Sequence, residues 1–334
     1  MKKLKLFINF CCILVLICFL NACSNQKSKV KKIKLSETTR SIFYAPQYVA
    51  FNLGYFKEEG LNIELITQAG SDQAMTSILS NQVDIGLMGS EMVAFVNKEG
   101  KENFPIIFTQ LTKKDGSFLV SRKKDFSWED LKGKTIIAGR KGGLPEMTFR
   151  HILKKKALVP NQDVKLLNNI KFDLMAGAFL NNTGDYVTLF EPTASILEEN
   201  KNCFVVKSLG EECEEIAYTC YAACKNYVRK NPNIIKAFTK AISKAQNFVE
   251  THDSKEIAEI IFPYFSNTDK KILERSVKRC KDADVWASSP VIKKESFEAM
   301  QNIALQAGEL KSRVNYDDVV DNQFALQVST GKKS

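Results

Sequence analysis

The chain has 334 residues, 44% hydrophobic and 26% charged, with a formal charge of +10, nine cysteines and two histidines, His151 and His252. This length excludes a small disulfide scaffold, and two histidines leave little for metal-assisted hydrolysis or histidine-base chemistry. The charge does not point to nucleic acid, because Lys2, Lys3, Lys5, Lys27, Lys29, Lys31, Lys32 and Lys34 carry most of it and the rest is close to neutral.

Lys2, Lys3 and Lys5 precede an apolar run from Leu6 to Leu20, closed by Leu20-Asn21-Ala22-Cys23. A charged start, a short apolar run and a small residue before cysteine describe a secretory signal processed at a lipid-bearing Cys23. Asn21 is larger than the residue usual at that place. The run is shorter than the ~20 residues that cross a bilayer. The expectation is a signal over residues 1–22 and a flexible basic tether over 23–32, suited to acidic lipid headgroups. The protein would then be anchored to the cell membrane on its extracytoplasmic face. Cys11, Cys12 and Cys18 fall in the signal. Cys203, Cys213, Cys220, Cys224 and Cys280 read as buried apolar residues or an occasional disulfide rather than a metal site.

From Ile33 strands and helices alternate. Ile33-Lys34-Leu35 starts a strand, and Pro46 to Phe56 reads as a helix with Pro46 in its first turn. Leu61, Ile63 and Leu65 alternate as a strand does. Gly70-Ser71 opens a helix through Leu79, with Ser71 or Asp72 as cap. Val83, Ile85 and Leu87 make the next strand, and Ser90 opens a helix. Pro105 to Phe108, Phe118 to Val120 and Thr135 to Ala138 are strands. Pro145 heads a helix toward Lys156, Tyr186 to Phe190 is a strand, and Pro192 heads the helix after it. This pattern predicts an α/β fold with largely parallel sheets.

Leu79 to Ile85 and Leu180 to Tyr186 share Leu, Asn and Asp at an offset of 101 residues. Each leads from helix to strand and on to a loop that opens another helix. Two lobes built alike would face these loops across a cleft at the carboxyl ends of their strands. After Tyr227 the chain turns helical. Ile234, Ile235, Phe238, Ile242, Ala245, Phe248 and Val249 form one stripe, Asp253 with Glu256 resembles a capping box, and Ser289-Pro290 starts a further helix. These stripes read as core that returns to the first lobe.

Gly133-Lys134-Thr135 is no phosphate loop, since Trp128 stands where its first glycine belongs. Arg140-Lys141-Gly142-Gly143-Leu144-Pro145-Glu146 and Phe190-Glu191-Pro192-Thr193 are better candidates. Both are strand-to-helix loops that would turn free N–H groups toward a ligand.

Phe43-Tyr44-Ala45-Pro46-Gln47-Tyr48-Val49-Ala50, running on to Leu53-Gly54-Tyr55-Phe56-Lys57-Glu58-Glu59-Gly60-Leu61, resembles the first helix of a known group. These are the ABC-transporter substrate-binding proteins of the alkanesulfonate/taurine and thiamine-pyrimidine type. Asn81-Gln82-Val83-Asp84-Ile85-Gly86 and Asp130-Leu131-Lys132-Gly133-Lys134-Thr135-Ile136 resemble two further signatures of that group. The resemblance implies a two-lobed periplasmic-binding-protein type II fold with a helical C-terminal region. Lobe one would take residues 33–118 and 218–334, lobe two residues 119–217, with hinge strands near Phe118 and Tyr218. It implies a monomer that captures a small molecule and hands it to an ABC permease and its ATPase, with no cofactor and no chemistry of its own.

Carried over by position, the pocket would comprise Ser41, Phe43, Tyr44, Gly70, Ser71, Gly89, Ser90 and Glu91 from lobe one. Lobe two would add Arg140, Gly142, Gly143, Glu146, Phe190 and Glu191. Phe43, Tyr44 and Phe190 could sandwich a flat ring. A sulfonate would want helix N-termini and Arg140 with no carboxylate close by, yet Glu91, Glu146 and Glu191 share these loops. An aminopyrimidine offers N–H donors to such a glutamate and a face to the aromatics. The expected ligand is therefore a nitrogen heterocycle of the thiamine-precursor kind, ahead of an aliphatic sulfonate or taurine. A pyrimidine-synthase-like enzyme is the alternative from another class.

Overall fold

Ten strands build two five-stranded sheets in the computed structural model, which describes residues 31–100, 102–200 and 202–330. The expected signal, Cys23 and most of the tether lie outside the described residues. Strand β1 (Lys31–Glu37) takes in Lys31 and Lys32, which the sequence reading assigns to the tether. It is followed by β2 (Leu61–Thr67), β3 (Ile85–Gly89) and β4 (Pro105–Thr112). The chain then leaves for a second sheet of β5 (Ser117–Ser121), β6 (Thr135–Ile137), β7 (Lys165–Leu167), β8 (Tyr186–Phe190) and β9 (Phe204–Ser208). It returns as β10 (Thr219–Cys224). The strand orders are β2-β1-β3-β10-β4 and β7-β6-β8-β5-β9. This is the two-lobed α/β architecture expected.

The sheets are mixed, as the resemblance implies, and antiparallel pairs stand beside the parallel ones that the alternation predicts. β1 runs parallel to β3, and β6 runs parallel to β7 and β8. β10 is antiparallel to both β3 and β4, and β5 is antiparallel to both β8 and β9. The antiparallel members flank the two passages between the sheets, where the chain must reverse direction.

The repeat at 101 residues is structural. Asn81 and Asn182 both adopt positive φ, 57° and 59°, just past the helices Ser71–Leu79 and Phe172–Leu180. Asp84 accepts the backbone N–H of Lys34 at 2.8 Å, and Asp185 accepts that of Thr135 at 2.8 Å. In each copy a left-handed Asn ends the helix and an Asp pins the incoming strand to its parallel neighbour.

Helix α1 (Ala45–Asn52) carries Pro46 in its first turn as expected but is shorter, because Gly54 turns left-handed at φ 75° and breaks the run. The other cleft helices are α2 (Ser71–Leu79), α3 (Glu91–Lys98), α4 (Leu144–Lys155), α5 (Phe172–Leu180) and α6 (Thr193–Asn200). The apolar stripe after Tyr227 lies on α7 (Pro232–Thr251), which packs on α1, β2 and β4 of the first sheet. Ile235, Phe238 and Ile242 there are fully buried, each contributing ~1.5–3 kcal/mol relative to exposure. Asp253 caps the following helix through Glu256 N–H at 2.8 Å. Further on come α8 (Lys270–Asp282) and α9 (Lys294–Gln306). The latter starts beyond the Ser289-Pro290 signal, which forms a bend instead. Cys213, Cys220, Cys224 and Cys280 are buried free thiols, and Cys203 is buried as well.

Candidate functional site

A cavity of about 410 Å³ lies where the strand ends of the two sheets meet. Loops after β1, β2 and β3 form one wall, and loops after β6, β7 and β8 form the other. Nearly every loop feeds a helix start, so backbone N–H groups without intrahelical partners lie along both walls. Of the residues read from the sequence, all but Ser90 and Glu146 line the cavity. Ser90 sits just behind, bonded through its hydroxyl to the Ala217 carbonyl and through its N–H to the Tyr218 carbonyl at 3.0 Å. It therefore holds the returning strand rather than a ligand. Glu146 is buried outside the cavity, accepting from Asn168 at 3.2 Å with Arg150 at 3.8 Å.

Among the described residues, three hydrogen-bonded links join the loops of the two walls directly. Ser41 donates its hydroxyl to the Glu191 carbonyl at 2.8 Å, beside Ile42 N–H at 3.2 Å. Arg140 grips Asp72 with both guanidinium arms, at 2.9 and 3.1 Å. The N–H of Leu144, at the start of α4, reaches Glu91 Oε1 at 3.3 Å. Ser71 does not cap α2 by its side chain, since Gly70 is the cap residue. Its hydroxyl instead accepts the N–H of Gly89 at 3.3 Å.

Three expectations about chemistry change. Arg140 is not free for an anion, because Asp72 already neutralises it. Glu191 is turned out of the cavity, with its carboxylate accepting from Ser195 N–H (3.0 Å) and hydroxyl (2.8 Å), Ser276 (3.1 Å) and Arg279 (3.1 Å). Only its backbone faces the cleft wall, so it does not receive a ring N–H. Phe43 and Phe190 touch each other, with centroids 5.4 Å apart and planes at 39°. A ring sandwiched between them would need about twice a stacking distance, so these two rings form one apolar wall instead. Tyr218 meets Phe43 edge-on at 5.4 Å, and Phe172 meets Phe190 at 6.1 Å.

Glu91, by contrast, lines the cavity without a counter-charge beside it. Its side chain is 1% exposed, and Oε2 has no hydrogen-bonding partner among the described residues. Burial pushes its carboxyl up to about 7, opposed by hydrogen bonds from its own N–H and that of Leu144. Behind the cavity Asp115 is fully buried, accepting from Ser117 N–H at 2.7 Å and Tyr218 OH at 3.0 Å and also from Thr148. It ties the outgoing passage between sheets to the returning one.

The sequence reading missed Asp72, Met92, Phe172, Met175 and Tyr218 as lining residues. Asp72 follows the chosen Gly70-Ser71 directly. Phe172 and Met175 belong to an unusually apolar helix whose Leu174 is 57% exposed, a pattern that could have marked it as more than core. Neither histidine lines the cavity. His151 pairs with Gln306 and Glu214, and His252 stacks on Phe248.

The model of the family described as NMT1/THI5 like matches residues 42–255. The protein named "Putative binding protein YtlA" of Bacillus subtilis is 41% identical over 97% of this chain and 98% of its own. A 4-amino-5-hydroxymethyl-2-methylpyrimidine phosphate synthase of Candida albicans is 25% identical, over 65% of this chain and 66% of its own. In structure, the alkanesulfonate-binding protein SsuA of Xanthomonas axonopodis pv. citri superposes with a TM-score of 0.70, covering 87% of this chain and 98% of its own at 14% identity. The chain belongs to the NMT1/THI5-like family, carried on a two-lobed periplasmic-binding-protein type II fold.

Proposed function

We propose that this protein is the substrate-binding subunit of an ABC importer, capturing a small nitrogen heterocycle such as a thiamine-precursor pyrimidine between its lobes. The observation that carries the reading is the cavity between the two sheets. Its volume of about 410 Å³ suits a small ring compound, and its walls come from both lobes. The kinship with a protein named as a binding protein supports it, as does the binding-protein fold. The lobes would divide along the sheets and hinge at the two passages, residues 113–116 and 209–218. A permease with its ATPase would receive the loaded, closed monomer. Cys23 would hold the protein to the extracytoplasmic face of the membrane, and partitioning of a Cys23→Ala variant into the soluble fraction is the expected check. Persistence in the membrane would refute the anchor.

A sulfonate is less suited, because Arg140 is paired with Asp72. A synthase reading draws on the Candida albicans relative, but His151 and His252 both lie away from the cavity. The test is a thermal-shift panel of aminopyrimidines, thiamine, riboflavin, taurine and alkanesulfonates. A ligand at a hundred times its dissociation constant stabilises by ~2.7 kcal/mol, enough to move the melting point visibly. A shift with a ring base is expected. A shift with sulfonates alone would sink the ligand assignment, and chemical conversion of the ligand would favour the enzyme.

A further inference from the structure

Glu91 is the buried carboxylate of the cavity that has no counter-charge. Oε1 takes the N–H of Leu144 from the opposite wall at 3.3 Å, and Oε2 has no protein partner among the described residues. The arginines of the lining are committed elsewhere, Arg40 to Glu37 at 2.7 Å and Arg140 to Asp72 at 2.9 Å. Lys141 lies exposed at the rim. An anion entering here would find a buried carboxylate and no unpaired guanidinium. A cation or a strong N–H donor would supply what the site lacks, since a buried charge is stable only when paired.

Resting on the reading of the cleft as a ligand site, we propose that Glu91 Oε2 anchors a cationic or amidine-like N–H edge of the ligand and excludes anions. The other oxygen of the same carboxylate holds the far wall, so capture and closure meet on one group. Burial, with a smaller contribution from the Glu91 charge, raises Tyr44, Tyr218 and Cys220, so all three neighbours stay neutral and none supplies Glu91 with a counter-charge. With the carboxyl raised to about 7, Glu91 carries a proton part of the time in the free protein. A permanently cationic ligand displaces that proton to the buffer as the N–H···O contact forms.

The experiment is calorimetric titration of the protein with benzamidine, 4-amino-2-methylpyrimidine and benzenesulfonate, at pH 6 and pH 7, in two buffers of different ionisation heat. Both bases are expected to bind, with benzenesulfonate at least about tenfold weaker. Benzamidine should release close to one proton at pH 6 and about half a proton at pH 7. Glu91→Gln should lose at least about tenfold in affinity for both bases and release no proton. If that variant does not fold, proton release by the unmodified protein still decides. Benzenesulfonate binding as tightly as benzamidine, or benzamidine binding without proton release, would overturn the role of Glu91 and leave the cleft standing as a ligand site. Failure of the unmodified protein to bind any of the three probes would overturn both readings.

Discussion

Glu91 and Glu191 lie in corresponding loops, after β3 and after β8, and meet opposite surroundings. Glu191 is enclosed by donors and Arg279, whereas Glu91 is a buried residue of the cavity lining with one oxygen unpartnered among the described residues. From sequence the two are equivalent, because direction depends on α8, which supplies Ser276 and Arg279 from 85 and 88 residues further along. Glu191→Gln should therefore destabilise the fold by about 2–3 kcal/mol, read by urea unfolding, because it weakens a buried pair that Glu198 only partly replaces. Its effect on ligand affinity should be the smaller one. Glu91 should act on stability with the opposite pH sense to an ordinary paired acid. Its folded value, about 7, exceeds its unfolded one, so its contribution is fully present below about pH 4.5 and is lost as pH rises through 7. The loss is on the order of 3 kcal/mol. Glu91→Gln should flatten that decline between pH 5 and pH 8 in urea titrations, and an unchanged slope would exclude Glu91 as its source. Asp115, also raised by burial, contributes with the same sign in both proteins.

At the scale of elements, the repeat at 101 residues was legible because its chemistry is local. A left-handed Asn and a strand-pinning Asp leave the same mark wherever they occur. Strand direction was not legible. β5 and β10 are buried along their whole length, and a continuous apolar run carries no sign of which way its neighbours point. The aromatic wall was half legible. Phe43, Tyr44 and Phe190 were found, but the separation of Phe43 from Phe190 depends on how the sheets approach. Gly116, in the passage between them, makes that packing possible, since a Cβ there would stand 2.1 Å from the Phe43 ring. Phe43 has little room to yield, with Tyr218 and Phe190 against its ring and Trp286 bonded to its carbonyl at 3.0 Å. Gly116→Ala should cost about 1–3 kcal/mol by overpacking, visible as a lower melting temperature. An unchanged melting temperature would mean the passage relaxes freely.

For the whole molecule, several bonds join the two lobes, those of Arg275 and Arg279 on α8 to Glu199 and Glu191 among them, and the Arg140–Asp72 bridge is a solvent-open one at the cleft itself. Pairs of that exposure are worth ~0.2–1 kcal/mol. Asp72→Asn should therefore weaken ligand binding by no more than about fivefold and enlarge the radius of gyration seen by small-angle X-ray scattering. High salt should give the unmodified protein the same behaviour, and an unaltered scattering curve would remove the bridge from closure. The two-lobed plan was legible in the alternation of elements, whereas the bridge was not, because it joins residues 68 apart that only the finished fold brings together. The strand order also fixes when each half can be completed. The second sheet is built from one unbroken stretch, β5 to β9, and has all its strands once Ser208 has been made. The first sheet needs β10 between β3 and β4, so those two strands lack their shared partner until Thr219 to Cys224 exist. On the ribosome the later-starting half is thus the first able to fold, while the N-terminal half waits with two strand edges exposed to mispairing.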